Sequence, residues 1–392
     1  MRSVRKITAA AGIATAVLLI TSGCSGGLLG GGTSSDSANS GPIKIGMVVP
    51  LSGSSAPTGA YMKNGAQLAV NEMNKSGGVL GGRKLELLVE DEACDPLQSV
   101  AAANKLVSSG VSISVGGYCS GATLPTLPIF ATANIPMIIP AANSQDLVKQ
   151  NKKNVFLING TGLQQSAAAL KYIKKAKYAT VALVDDNTSY SVDIANETQK
   201  QVEADGAAKV VLKTSVTAGE SDYSSVVNAI MNKAPSLVYW SGYYQEGGLI
   251  INQLKQAGFT GAIMVADGSV DPSLATIAGA GSEGVLATMT QTPDTLQGAA
   301  AEKWIADYKK AFSADPGPYS TQSYDAVRVA VEAIKKAGNT KGDNLITALE
   351  GLNGFELFSG PLKFTTEHTL SNGGFIILQI KGGKFVLKDP LS

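Results

Sequence analysis

The sequence predicts an α/β protein of two lobes, each a parallel-rich sheet flanked by helices, joined by hinge strands that cross between them. Three observations predict it. Short apolar, β-branched runs alternate with helical patterns from residue 43 onward, which implies right-handed βαβ units and parallel strands. The same rhythm restarts after about residue 160 and builds a second unit of similar size. Chain remains beyond that unit, and the first unit has too few elements alone, so the chain is expected to cross back. The division that follows is 43–160 with 288–374 for one lobe and 161–287 with 375–392 for the other. In such sheets a ligand sits beyond the carboxyl ends of the strands, here in the cleft between lobes.

Residues 43–50, IKIGMVVP, read as a buried strand. From Thr58 the pattern is helical, with Ala66, Ala69, Val70 and Met73 on one face, and Gly77-Gly78 stops it. Lys84 to Val89 is a second strand. Asp95-Pro96 starts a helix to about Ser108, with an acid at the cap and proline at the first helical position. Ile113 to Val115 and Met137 to Ile139 are strands, and Phe156 ends the block. In the second unit, strands are expected at Thr180–Val184, Lys209–Lys213, Leu237–Trp240 and Ile263–Ala266. A strand near 285–289, helices at about 298–313 and 321–337, and Gly-punctuated strands from Pro361 complete the chain.

The first residues do not belong to this pattern. Arg2, Arg5 and Lys6 precede a 14-residue apolar run, Ile7 to Ile20, too short for an ordinary membrane span. Thr21-Ser22-Gly23 and Cys24 follow, so residues 1–23 read as a secretory signal ending at a cysteine. The junction resembles the bacterial lipobox, with Thr21 where Leu is usual, and implies that Cys24 is lipidated. An extracytoplasmic chain held to the membrane through that lipid is then expected. Removing three of the 32 cations leaves 29 against 31 acids, a net charge of −2. Residues 24–42 contain mostly Gly, Ser, Thr, Asn and Ala and read as a tether.

Of three cysteines, Cys94 and Cys119 remain. An even pair in an oxidising compartment suggests a disulfide, with two buried free thiols as the alternative.

Several chemistries are excluded. Lys+Arg and Asp+Glu nearly cancel, 32 against 31, and no basic block marks a nucleic-acid surface. The one histidine, His368, lies in a polar, turn-like stretch and is expected to be an exposed loop residue. With no Gly-x-Ser-x-Gly elbow, no phosphate-cradling Gly-x-x-x-x-Gly-Lys-Ser/Thr loop and no Cys/His cluster, the chain reads as neither hydrolase, ATPase nor metalloprotein. No cofactor is expected. Glu90-Asp91-Glu92 reads as a solvated strand end beside the cysteine pair rather than a cation site.

More specific segments run in order along the chain: EDEACDP from Glu90, YCSGATLP from Tyr118, PAAN from Pro140, GTGLQQS from Gly160, DDNTSY ending at Tyr190, TAGESDYS from Thr217, YWSGYYQEG from Tyr239 and ADGSVD from Ala266. Together they resemble the Leu/Ile/Val-binding family of solute receptors for ATP-driven importers, which have the type I periplasmic-binding fold. The resemblance covers residues 43–390 and implies a bound α-amino acid, a membrane permease with ATPase subunits as partners, and a monomer. It implies a Cys94–Cys119 disulfide. Ser120, with nearby backbone N–H groups, is expected to take the ligand carboxylate, and Ala141 to offer backbone groups to the zwitterion, with Ala142 beside it in the ligand site. Asn143 replaces a Thr that helps to hold the carboxylate, its amide N–H serving instead. Tyr190 and Tyr243 match ligand-facing tyrosines, and Asp267 stands where the family has the Glu that pairs with the α-ammonium. Thr58 replaces a Tyr, Tyr118 replaces an aliphatic residue, and Tyr319 stands for a wall aromatic. A sensor that reports a solute to a membrane receptor is the competing reading; a secreted enzyme on the same scaffold lacks a nucleophile–base pair.

Overall fold

The computed structural model describes residues 41–391, so the leader, Cys24 and most of the tether lie outside the described residues. The first half contains β1 (Ile43–Val49), α1 (Ala56–Lys75), β2 (Leu85–Asp91), α2 (Pro96–Ser108), β3 (Ile113–Ser114), α3 (Ser120–Thr123), α4 (Leu127–Thr132), β4 (Met137–Ile139), α5 (Gln145–Lys149) and β5 (Val155–Leu157). Its strands form a five-stranded sheet in the order β2-β1-β3-β4-β5, every pair parallel. β1 is buried on both faces except at Lys44, as the unbroken apolar run requires of a central parallel strand. Asp95 caps α2 by accepting hydrogen bonds from the N–H groups of Leu97 and Gln98, both at 2.8 Å, with Pro96 in the first turn.

The second half continues with α6 (Gly162–Ala176), β6 (Thr180–Asp185), α7 (Ser189–Asp205), β7 (Lys209–Ser215), α8 (Ser224–Lys233), β8 (Leu237–Trp240), α9 (Tyr244–Gln256), β9 (Ala262–Val265), α10 (Pro272–Ala278) and β10 (Leu286–Met289). The chain then returns: α11 (Ala299–Phe312) and α12 (Ser320–Ala337) pack on α1, and α13 (Gly342–Glu350) packs on α12. A two-stranded ribbon, β11 (Asn353–Leu357) with β12 (Gly360–Lys363), follows. Finally β13 (Ile376–Lys381) and β14 (Lys384–Asp389) join the second sheet, whose order is β14-β13-β10-β9-β8-β6-β7. Those two strands pair antiparallel, and the rest of that sheet is parallel.

The close seating of α12 on α1 has a sequence cause. A side chain at Gly65 would strike the backbone oxygen of Ser320, so only glycine lets the two helices approach this far.

The chain passes between the halves three times, after β5, after β10 and after β12. The passes lie together. The Thr290 hydroxyl donates to Asn159 Oδ1 at 3.0 Å, and Gly160 abuts the backbone of Gly373 and the ring of Phe375. β10 sits wholly in the second sheet, paired through Met289 to Ile376, so the second pass falls after Met289 rather than between 287 and 288. α13 and β11 were not expected. α13 has no side-chain cap at its start, and β11 is mostly exposed, so neither leaves a strong pattern.

Two expectations about surface groups are corrected. His368 is not an exposed loop residue: its ring stacks on Phe156 at 4.2 Å and 5°, which leaves its side chain 14% exposed. Glu92 is not solvated: it is 2% exposed, and its Oε2 has no hydrogen-bond partner among the described residues. The other two acids behave differently. Glu90 pairs with Lys105 at 2.8 Å, and Asp91 Oδ1 accepts the N–H groups of Leu51, Ser52 and Ala93. Burial raises the Glu92 carboxyl to about 8, against one backbone hydrogen bond from Cys94 that lowers it. Cys94 and Cys119 are joined, with Cα atoms 5.4 Å apart across 25 residues of sequence.

Two outcomes follow for stability. The folded-state value of Glu92 lies above its unfolded value of 4.5, so its contribution is complete below that pH and is lost as pH rises through about 8. Glu92→Gln should remove this decline, raising the melting temperature at pH 8.5 relative to the parent far more than at pH 5. Replacing both Cys94 and Cys119 by alanine should cost about 3 kcal/mol in urea denaturation.

Candidate functional site

The residues singled out from sequence converge on the carboxyl ends of parallel strands, at the seam between the halves. Tyr118 and Ser120 follow β3, and Ala141 to Asn143 follow β4. From the second half, Tyr190 opens α7 after β6, Tyr243 precedes α9 after β8, and Asp267 follows β9. Tyr319 precedes α12 with φ 62°. A bulky residue in the left-handed region costs about 1–2 kcal/mol, and such strain gathers at functional positions.

Asp267 is the centre. It is 2% exposed. The Tyr190 hydroxyl donates to its Oδ1 at 2.6 Å, and the Tyr319 hydroxyl to its Oδ2 at 2.7 Å. The Asn143 amide N–H donates to the same Oδ2 at 3.3 Å. The Gly268 N–H in turn donates to the Tyr190 oxygen at 2.8 Å. One carboxylate is therefore held by donors from both halves. Burial pushes its carboxyl above the usual range, and the tyrosine hydroxyls pull it back.

Around it stand four tyrosines. Tyr118 packs against Tyr243 at 5.9 Å between ring centroids and against Tyr319 at 5.5 Å, and Tyr190 packs against Tyr243 at 5.2 Å. Burial raises all four hydroxyls, so they remain protonated donors. Thr58, also buried, hydrogen-bonds the Tyr118 hydroxyl.

Three details of the first half complete the geometry. The Ser120 Oγ accepts the N–H groups of Asn143 at 3.3 Å and Ser144 at 3.2 Å, pinning the loop after β4. The Asn143 amide N–H groups go to Gln165 Oε1 at 2.9 Å and to Asp267. Both donors of this amide are thus engaged by buried acceptors. The Ala142 N–H is held by the Gly117 carbonyl at 3.1 Å, and the Ala141 carbonyl accepts from the Asn159 amide at 3.0 Å.

Sequence reasoning missed Gln165 and Tyr239. Gln165 is fully buried and donates to Thr288 Oγ1 at 2.9 Å, the same hydroxyl that bonds Tyr239. Both lie inside the segments quoted above, and nothing in their residue types separated them from their neighbours. Further polar contacts cross the seam: the Tyr244 hydroxyl donates to the Ser54 carbonyl at 2.6 Å, and the Gln145 N–H to Asp193 Oδ2 at 2.9 Å. Among the described residues no three or more His, Cys, Asp or Glu are grouped to hold a metal ion.

Residues 42–384 match the sequence pattern of a family described as periplasmic binding protein. The chain belongs to the periplasmic binding protein family. This is a family of solute-binding proteins rather than enzymes, and it works outside the cytoplasm. The chain is 34% identical over 339 residues to the leucine-, isoleucine-, valine-, threonine- and alanine-binding protein of Pseudomonas aeruginosa, covering 86% of this chain and 89% of that one. It is 32% identical to the leucine-specific-binding protein of Salmonella typhimurium, covering 86% and 90%. Its fold is similar to that of a branched-chain amino acid transporter substrate-binding protein of Streptococcus pneumoniae solved with isoleucine. The TM-score is 0.79 at 25% identity, over 88% of this chain and all of the other. A leucine-binding protein of Thermotoga maritima is similar with TM-score 0.80 at 25% identity, over 88% and 97%.

The hydroxyl pair on Asp267 gives a direct test of this binding protein's seam. Tyr190→Phe leaves one carboxylate oxygen and the Gly268 N–H short of a partner, which should cost about 1–3 kcal/mol in urea denaturation. A loss below about 0.5 kcal/mol would show that the hydroxyl does not support the seam.

Proposed function

We propose that this periplasmic binding protein captures a small α-amino acid between its halves by hinge closure and hands it to the permease and ATPase subunits of a membrane importer. The lobes are residues 43–160 with 290–374, and 161–289 with 375–392, the second hinge pass lying just after β10. The observation that carries the reading is Asp267, a buried acid from the second half whose partners Asn143 and Tyr319 come from the first. A buried ammonium needs an opposite charge, because its desolvation otherwise opposes binding. Asp267 supplies that charge, and the four tyrosines exclude water and strengthen the attraction. Asp is one methylene shorter than the Glu usual in the family, so the ammonium sits deeper or is bridged by water.

The carboxylate end falls to the first half. The Ser120 oxygen accepts two backbone N–H groups, which leaves its own proton to donate. Ala141 and Asn143 shape the wall beside it, and Thr58 orients Tyr118. The names of the relatives at 34% and 32% identity, which include leucine, isoleucine, valine, alanine and the hydroxyl-bearing threonine, support an amino acid as guest. The lipid on Cys24 holds the monomer at the membrane face where the permease lies.

Asp267→Ala should abolish amino-acid binding in calorimetry while circular dichroism shows the fold retained; unchanged affinity would overturn the role given to that residue. In a thermal-shift screen of the parent protein, an amino acid at 100 times its dissociation constant should add about 2.7 kcal/mol of stability.

A further inference from the structure

Four residues beyond Asp267 lies a second buried acid. The turn between them is tight: the Val270 N–H donates to the Asp267 carbonyl at 2.9 Å, and the Asp271 N–H to the Ser269 carbonyl at 3.0 Å. Asp271 is 2% exposed. Its Oδ1 accepts the Ser273 N–H at 2.8 Å and so caps α10. Its Oδ2 has no hydrogen-bond partner among the described residues. Asn143 Oδ1, beside Asp267, is likewise buried and without a partner. Both orphans are acceptors. The charged groups that act most on the four tyrosines are also all acidic: Asp267, Asp271, Asp186 and Glu92.

The residues on either side of Asp271 border open space. Its neighbours Val270 and Pro272 line a groove of about 980 Å³, together with Tyr61, Ile305 and Pro318 from the first half. The negative charge of Asp271 acts on tyrosines of both halves, raising the hydroxyls of Tyr118, Tyr61 and Tyr244.

A buried carboxylate oxygen without a donor is costly, and a branched aliphatic side chain cannot relieve it. Resting on the reading of the seam as an amino-acid site, we propose that Asp271 is a specificity-determining residue that accepts a hydrogen bond from the guest's side chain. The preferred guests are then α-amino acids whose side chains carry an N–H or O–H donor, above isosteric aliphatic ones.

Calorimetry of the full chain with matched pairs tests this: L-threonine against L-valine, and L-lysine against L-norleucine. At least one donor-bearing member should bind roughly tenfold or more tighter than its partner. Asp271→Asn keeps an oxygen for the Ser273 N–H and puts a donor at the orphan position, so the ratio within that pair should collapse to about one. Asp271→Ser, which also caps but carries no charge, serves as the second variant, with retained folding read by circular dichroism. Preference for the aliphatic members, or a ratio that both variants leave unchanged, overturns the assignment of Asp271 alone. Failure of every amino acid to bind the parent protein overturns the amino-acid reading and this inference with it.

Discussion

The molecule is organised around one carboxylate that is almost wholly removed from water. Asp267 comes from the second half, and its hydrogen-bond donors come from both. An ionised group buried this deeply is tolerated only when its lone pairs are filled. That requirement fixes where Tyr190, Tyr319 and Asn143 must stand, and so fixes how the two sheets meet. The unusual backbone of Tyr319, at φ 62°, is understandable on this ground: the position brings a hydroxyl to Asp267 that a relaxed conformation would point elsewhere. Ser120 acts one step further out, by holding the loop that presents Asn143.

The tyrosines make the seam both greasy and donor-rich. Tyr118 links Tyr243 of one half to Tyr319 of the other through ring contacts, and its hydroxyl is tied to Thr58. The family resemblance implies an aliphatic residue at position 118 and a tyrosine at position 58; this chain carries Tyr118 and Thr58 instead.

Much of this was legible in the residues. Unbroken apolar runs such as IKIGMVV predicted central parallel strands, and β1 is one. Asp95-Pro96 predicted the start of α2 to the residue. The ordered segments of family resemblance brought Tyr118, Asn143, Tyr190, Tyr243, Asp267 and Tyr319 to one place. What escaped is what local pattern does not encode. His368 sits in a polar stretch, yet a long-range stack on Phe156 covers it. Glu92 belongs to an acidic run that reads as solvated, yet it falls just past the end of β2 and is buried, while Glu90 reaches Lys105. Which way the Asn143 amide faces depends on Gln165, whose type alone carries no signal. Where Ser120 directs its oxygen was likewise decided by the loop across from it.

The three passes between the halves lie side by side and are cross-linked by contacts such as Thr290 to Asn159. Parallel ribbons fastened at both ends behave as a flexure. They bend readily about one line but resist sliding and twisting, so the halves have in effect a single mechanical degree of freedom. On the proposed hinge closure, a swing along that arc would return Asn143 and Tyr319 to the same carboxylate, with no search over alternative alignments.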